Sequence, residues 1–93
     1  MNRKQFIKYA EKELKDLSGN VIGALFYIEK NRNCESQYFV VSKTVTGNSD
    51  YWDWCQKILS ALPICYYMNS DADEEWWGFA NEKDAFIWMT RWA

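Results

Sequence analysis

The feature that most constrains this chain is its tryptophan content: six in 93 residues, all of them within residues 52–92. Trp76 and Trp77 are adjacent in a segment whose composition is typical of a β-strand. Because successive strand side chains point to opposite faces of a sheet, the sheet must be covered on both sides at this point. A domain of this length has little core in which to bury so many rings. The cover must therefore come from helices, from a second subunit or from a partner.

Composition excludes several classes of protein. The chain is 48% hydrophobic, has a formal net charge of -2 and contains no His. Disordered chains combine low hydrophobicity with high net charge, and nucleic-acid binders are usually strongly basic, so both classes are excluded. The lack of His removes the commonest general base and the commonest zinc ligand. Since no phosphate-binding glycine loop or Cys/His cluster is present either, we expect no catalytic residue, no metal and no cofactor. An enzyme is only the third-ranked interpretation.

The N-terminal residues and the cysteines bear on the cellular compartment. The start of the chain lacks the apolar core of a signal peptide, and no apolar run approaches the ~18 residues of a membrane span. The three cysteines are an odd number without a C-x-x-C pair, which favours reduced thiols. We expect a cytoplasmic protein without membrane contact, in which Cys55 and Cys65 are buried and Cys34 lies in an exposed turn.

Hydrophobic periodicity predicts an α+β protein that forms a single domain over residues 1–93. The predicted helices cover residues 2–18, 50–62 and 82–92, and the predicted strands cover residues 20–29, 37–46, 64–69 and 74–80. The first predicted strand is apolar on both faces, which is typical of a strand covered on both sides. The elements follow the order α-ββα-ββα, so we expect a two-layer fold with a four-stranded antiparallel sheet and helices packed against it.

Charge is divided unevenly along the chain. Residues 1–46 carry eight Lys or Arg and five Asp or Glu, whereas residues 47–93 carry three and eight. The tryptophans lie in the same acidic half, and Trp and Tyr are enriched among the residues that dominate binding energy at interfaces. We predict a partner-binding surface formed by Trp52, Asp53, Asp71, Asp73, Glu74, Glu75, Trp76 and Trp77, with one of the paired tryptophans exposed. The alternative is a solvated acidic turn beside a packed core.

Residues 77–92, WGFANEKDAFIWMTRW, resemble an ending found in small proteins encoded by tailed bacteriophages. In that ending an aromatic strand residue is followed by a polar cap, Asp-Ala, an aromatic residue and a final Arg-aromatic pair. The matching positions are Phe79, Asp84, Ala85, Trp88, Arg91 and Trp92. The resemblance implies a phage origin and, with it, the cytoplasm of a host cell. Many such proteins bind and block host systems such as restriction, CRISPR or transcription.

The sequence thus predicts a non-catalytic inhibitor of a host defence nuclease complex, of the anti-CRISPR or anti-restriction type. It would occupy a site on a basic surface of its target, because complementary charge steers association. Direct nucleic-acid binding is not expected, since most Lys and Arg lie in the half of the chain without tryptophan. The alternative is a small homodimeric structural or regulatory module without an inhibitory role, paired through an apolar sheet face.

Overall fold

The chain is an α+β protein in the computed structural model, which describes residues 1–15, 18–33 and 35–93. Over these residues the helices are α1 (Arg3–Glu13), α2 (Ser18–Arg32), α3 (Tyr51–Ile58) and α4 (Glu82–Trp92), and the strands are β1 (Tyr38–Lys43), β2 (Ile64–Asn69) and β3 (Glu74–Phe79). The strands form one sheet in the order β1-β3-β2, and both pairings are antiparallel. Among the described helices, none has both the length and the apolar character needed to cross a lipid bilayer.

The prediction of four strands in the order α-ββα-ββα is wrong, because residues 20–29 belong to helix α2. Within α2, Leu25 and Glu29 lie one turn apart and are buried, whereas Phe26 and Tyr27 are exposed. That burial pattern follows the helical period and not the alternation of a strand. The apolar run concealed the helix because Phe26 and Tyr27 occupy an outer face that usually carries polar side chains.

The helix ends agree with the prediction for α4 and differ for α1. Asn81 caps α4 as expected, since its side chain accepts a hydrogen bond from the backbone N–H of Asp84. Helix α1 opens with a capping box, in which the side chains of Asn2 and Gln5 each accept from the other's backbone N–H. It ends at Glu13 and not near residue 18. Leu17, predicted on this helix, lies outside the described residues.

The central strand β3 divides the protein into two cores. Trp76 and Trp77 point to opposite faces of the sheet and are both fully buried. Trp76 packs with Phe6 and Leu25 beneath α1 and α2, whereas Trp77 packs with Tyr51 beneath α3 and α4. Helices of the chain itself therefore cover both sheet faces, and the fold has three layers where two were predicted.

The core beneath α3 and α4 is organised by edge-on and tilted aromatic contacts. The ring centroid of Trp77 lies 5.4 Å from that of Tyr51 and 6.2 Å from that of Trp88. The indole N–H of Trp88 donates to the Tyr51 hydroxyl at 2.8 Å, so both polar groups are paired inside the core. Each such aromatic pair contributes about 0.5–1.5 kcal/mol beyond the area it buries.

A bulge in β2 brings two tyrosines to the same sheet face. Cys65 pairs with Trp77 and Tyr67 pairs with Trp76, so β2 has one more residue than β3 at this point. As a result Tyr66 and Tyr67 both belong to the core beneath α1 and α2. The Tyr66 ring covers Gly78, where a Cβ would overlap the ring and the side chain of Ser36.

We predict that Gly78→Ala lowers the free energy of unfolding by about 1–3 kcal/mol, because the added methyl group has to displace Tyr66 or Ser36. The matched control is Gly23→Ala in α2, where a Cβ would meet no atom within 4 Å. That change should raise stability by about 0.4–1 kcal/mol, since alanine favours a helix over glycine. Guanidinium denaturation measures both changes, and equal midpoints for the two variants would contradict this account.

Candidate protein-binding site

The eight residues predicted to form one binding surface divide into buried and exposed groups. Three have fully buried side chains: Glu75, Trp76 and Trp77. Four are exposed: Trp52, Asp53, Asp71 and Asp73. Glu74 is half-buried. Both rings of the tryptophan pair are buried, because helices cover both faces of β3. The prediction from the sequence that one of these rings is exposed is therefore wrong.

Glu74 and Glu75 accept hydrogen bonds from other groups of the fold. The Glu75 carboxylate accepts from the Val45 N–H at 2.7 Å and from the Thr46 hydroxyl at 2.7 Å, which fastens the chain after β1 to the central strand. Glu74 accepts the indole N–H of Trp76 at 2.7 Å. Buried polar groups must be paired in this way to avoid a large desolvation cost. Of the acidic segment 71–75, the exposed carboxylates are those of Asp71 and Asp73.

An apolar groove of about 450 Å³, here called the edge groove, lies where the start of β2 meets α2 and α3. Its lining residues are Tyr27, Ile28, Asn31, Arg32, Trp52, Leu62, Pro63, Ile64 and Cys65. Three of them are large apolar side chains with high exposure: Tyr27 at 70%, Trp52 at 47% and Leu62 at 50%. Sequence reasoning found Trp52 but missed Tyr27, because it placed residues 20–29 in a strand.

The fold holds the Trp52 ring in place. Its centroid lies 5.0 Å from that of Tyr51 and 5.7 Å from that of Trp77, with both contacts edge-on. Tyr51 and Trp77 are themselves fully buried, so one edge of the Trp52 ring is fixed on the core while the rest is open to solvent. A ring held in this way loses little conformational entropy when a partner covers it.

The acidic turn lines a different groove. Asp73 and Glu74 lie with Lys43 and Trp92 around a depression beside β1, whereas Trp52 lines the edge groove. Asp73 adopts a left-handed backbone conformation with φ of 51°, which Asp and Asn tolerate better than most residues. The predicted acidic and aromatic elements therefore belong to two separate depressions of the surface.

A partly buried ion pair, in which Glu29 is buried and Arg3 half-buried, connects α1, α2 and β2. Arg3 donates from both terminal nitrogens to the Glu29 carboxylate, at 2.7 and 3.1 Å. Glu29 also accepts from the Ser36 N–H and from the Tyr66 hydroxyl, each at 3.0 Å. The bond to Glu29 raises the pKa of Arg3, and burial raises the pKa of Tyr66. Because Ser36 and Tyr66 are buried, their hydroxyl groups are not open to a substrate, and the cluster acts as a clamp between elements.

The described residues contain no cluster of three or more His, Cys, Asp or Glu able to hold a metal ion. Cys55 is buried as predicted, and Cys65 is half-buried, while Cys34 lies outside the described residues. Burial, followed by the proximity of Glu75, raises the pKa of the Cys65 thiol to about 11. At neutral pH this thiol is protonated and is a poor nucleophile.

Comparison of the chain with protein-family models, with curated proteins and with solved structures found no match. The edge groove is therefore interpreted from its own residues. It combines exposed aromatic and aliphatic side chains with a fixed Trp52 ring, and apolar patches of this kind mark protein contact sites. It is the candidate protein-binding site of the chain.

The first prediction for this region concerns the ion pair. Arg3→Met should lower the free energy of unfolding by about 3 kcal/mol, because the buried Glu29 carboxylate loses its only bonded cation among the described residues. Adding Glu29→Gln should recover part of that loss, since a neutral amide can still accept from Ser36 and Tyr66. Denaturation of the two single variants and the double variant forms a cycle. Strictly additive effects would show that no such coupling exists.

The second prediction concerns Cys65. Its alkylation by iodoacetamide should increase with pH up to about 11, because at pH 8 only about 0.1% of a thiol with that pKa is ionised. Mass spectrometry of the labelled peptide measures the rate, and the same chain in denaturant provides the unshifted control. A half-maximal rate near pH 9 in the folded protein would contradict the prediction.

Proposed function

We propose that the chain is a non-catalytic protein-interaction module that binds its partner through the edge groove. The observation that carries the proposal is the concentration of exposed apolar side chains there. Seven large hydrophobic side chains are exposed in the described part of the chain, and Tyr27, Trp52 and Leu62 line this one groove. A contiguous apolar patch is unfavourable in water and is typical of a surface that a partner covers.

Trp52 has the properties of a binding anchor. Trp and Tyr dominate the binding energy of interfaces because they bury a large area with few rotatable bonds. The contacts with Tyr51 and Trp77 fix the ring before binding. A partner side chain packed on Trp52 therefore gains apolar contact without the cost of ordering the ring.

The chemistry of the described residues supports a non-catalytic role. Several of the polar groups with shifted pKa values are buried or bonded within the fold, among them Tyr51, Tyr66 and Arg3. Burial raises the pKa values of Tyr51 and Tyr66, which keeps both phenols neutral. The Cys65 thiol, which does line the groove, stays protonated at physiological pH. None of these groups is prepared to act as a general base or a nucleophile.

The finer proposal is that the partner is a host defence nuclease complex, such as a CRISPR effector or a restriction enzyme, which the chain inhibits by occupying a site. It rests on the phage-like residues 77–92. Four of the six matching positions are buried, namely Phe79, Asp84, Ala85 and Trp88, and the Asp84 carboxylate accepts the Ser60 hydroxyl at 2.6 Å. The resemblance therefore bears on origin and not on which residues bind. The exposed carboxylates of Asp71 and Asp73 suit a basic target surface, where they would mainly set the association rate.

Expression of the chain in bacteria that carry a defined CRISPR or restriction system tests this proposal. Phage should form more plaques on cells that express the parent chain, and Trp52→Ala should reduce the rescue at least tenfold, because a buried Trp anchor is worth ~2 kcal/mol or more. The matched control is Phe86→Ala, whose side chain is 67% exposed and does not line the groove.

Circular dichroism must first establish that each variant folds. No rescue by the parent chain in any defended strain would remove the inhibitor proposal. Full rescue by a folded Trp52→Ala variant would remove the edge groove as the surface that carries it.

A further inference from the structure

We propose that two copies of the chain associate in antiparallel fashion through the outer edges of β2, so that their sheets join and each copy fills the edge groove of the other. The inference rests on the proposed function only in treating the edge groove as a protein-binding surface. It goes beyond that function in naming a second copy of the same chain as an occupant of the groove, so dimerisation competes for this surface with the partner proposed above.

Strand β2 is an edge strand that lacks the features which usually prevent pairing with another strand. It lies at the margin of the sheet, with β3 as its only strand neighbour among the described residues. Its sequence, ICYYMN, contains no charged residue and no proline. Open edges are usually protected by lysine, proline or a covering segment, because unpaired backbone groups attract other strands.

The other edge strand, β1, is protected against pairing by a lysine and by a covering segment. Strand β1 carries Lys43, and its Phe39 is bonded to Met1 on the outer side. The N-terminal amine of Met1 donates to the Phe39 carbonyl at 2.7 Å, and the Phe39 N–H donates to the Met1 carbonyl at 2.6 Å. Of the two margins, β2 is therefore the one available for pairing.

The charges at the two ends of β2 are opposite and fit an antiparallel pair. Arg32 lines the edge groove beside the start of β2, while Asp71 and Asp73 are exposed just after its end. A two-fold axis across the edge places the start of each β2 against the end of the other. The Arg32 guanidinium of one copy then faces the acidic turn of the second copy, twice in each dimer.

The apolar side chains are complementary under the same operation. Met68, near the end of β2, is 58% exposed. In the antiparallel pair it lies opposite the start of the second copy's β2, where Tyr27 and Trp52 line the groove. An unbranched methionine adapts to such a groove and packs well against aromatic rings.

The bulge is compatible with this pairing. It interrupts β2 at Tyr66 and leaves one regular segment on each side, Ile64 with Cys65 and residues 67–69. A two-fold axis near Tyr66 pairs the first segment of one copy with the second segment of the other. A uniformly basic partner would meet Arg32 at one end of the edge, whereas a second copy matches the charge at both ends.

Sedimentation velocity over a range of concentrations tests the inference on the full chain. The expected result is a dimer with twice the 11.1 kDa mass of the chain. Arg32→Asp and Asp71→Arg should each weaken dimerisation about tenfold, because each places like charges together at two symmetric points. The double variant should dimerise nearly as well as the parent, since both copies then carry the exchanged pair.

Two controls separate a specific edge from general stickiness. Met68→Asp should abolish the dimer, whereas Phe86→Asp, at an exposed position away from the groove, should leave it intact. Lys83→Asp, an exposed charge on α4, should not weaken the dimer. Hydrogen exchange of the β2 amides should slow in the parent dimer and not in the Met68→Asp monomer.

A parent chain that stays monomeric at every concentration would overturn the inference, and so would a double variant as weak as the single ones. These outcomes are distinct from failure of the proposed function. If the chain is monomeric and its Trp52→Ala variant loses the plaque rescue, the inference is wrong and the groove remains the binding site for another protein. If the chain forms the dimer but gives no plaque rescue, the inference stands and the inhibitor proposal is wrong.

Discussion

The adjacent tryptophans of the central strand impose the architecture on the rest of the chain. Because Trp76 and Trp77 point to opposite faces, a sheet of only three strands needs helical cover on both sides. Burying a ring of this size contributes about 4–6 kcal/mol at most, so leaving either face open would forfeit a large part of the stability of a small protein. The consequence is two small cores that share one strand. At the start of β2 the helices α2 and α3 flank the margin of the sheet, and the edge groove lies there.

Three buried carboxylates fasten the segments between these layers. Glu29 bonds to Arg3, Ser36 and Tyr66, Glu75 bonds to Val45 and Thr46, and Asp84 bonds to Ser60. In each case the carboxylate oxygens accept hydrogen bonds from donors in a loop or in a neighbouring element. Loop backbone can therefore lie against the core with its polar groups paired. Glu75 and Asp84 belong to the acidic half of the chain, and their burial makes the surface of that half less acidic than its composition indicates. Electrostatic steering by that half therefore depends on its exposed acidic residues, which are Asp50, Asp53, Asp71, Asp73 and Glu82.

The sequence was sufficient for the α+β class, for β2 and β3, for β1 within a longer predicted strand, and for a helix after residue 81 with Asn81 as its cap. It failed at α2 because periodicity identifies a helix by its polar outer face, and here Phe26 and Tyr27 stand on that face. The buried face instead contains Glu29, whose charge is neutralised by Arg3, a pairing of distant residues that no local pattern encodes. This one error explains the incomplete site. Tyr27 was assigned to a strand, so the groove it forms with Trp52 could not be anticipated. The burial of both tryptophans was equally hidden, because it depends on how the helices divide between the two faces of the sheet.

The position of the central strand in the chain has a consequence for synthesis on the ribosome. Within the described residues, both β1 and β2 pair with β3 alone, and β3 follows both of them in sequence. During translation neither earlier strand has a partner until residue 79 has left the exit tunnel. Pairing over such sequence separations is slow, and unpaired strand edges expose the nascent chain to aggregation in the meantime. A polypeptide that stops before β3 would contain the helices α1 to α3 but no sheet for them to pack on. Assembly of the sheet is therefore expected to wait for β3, and the fold does not build up step by step from the N-terminal elements.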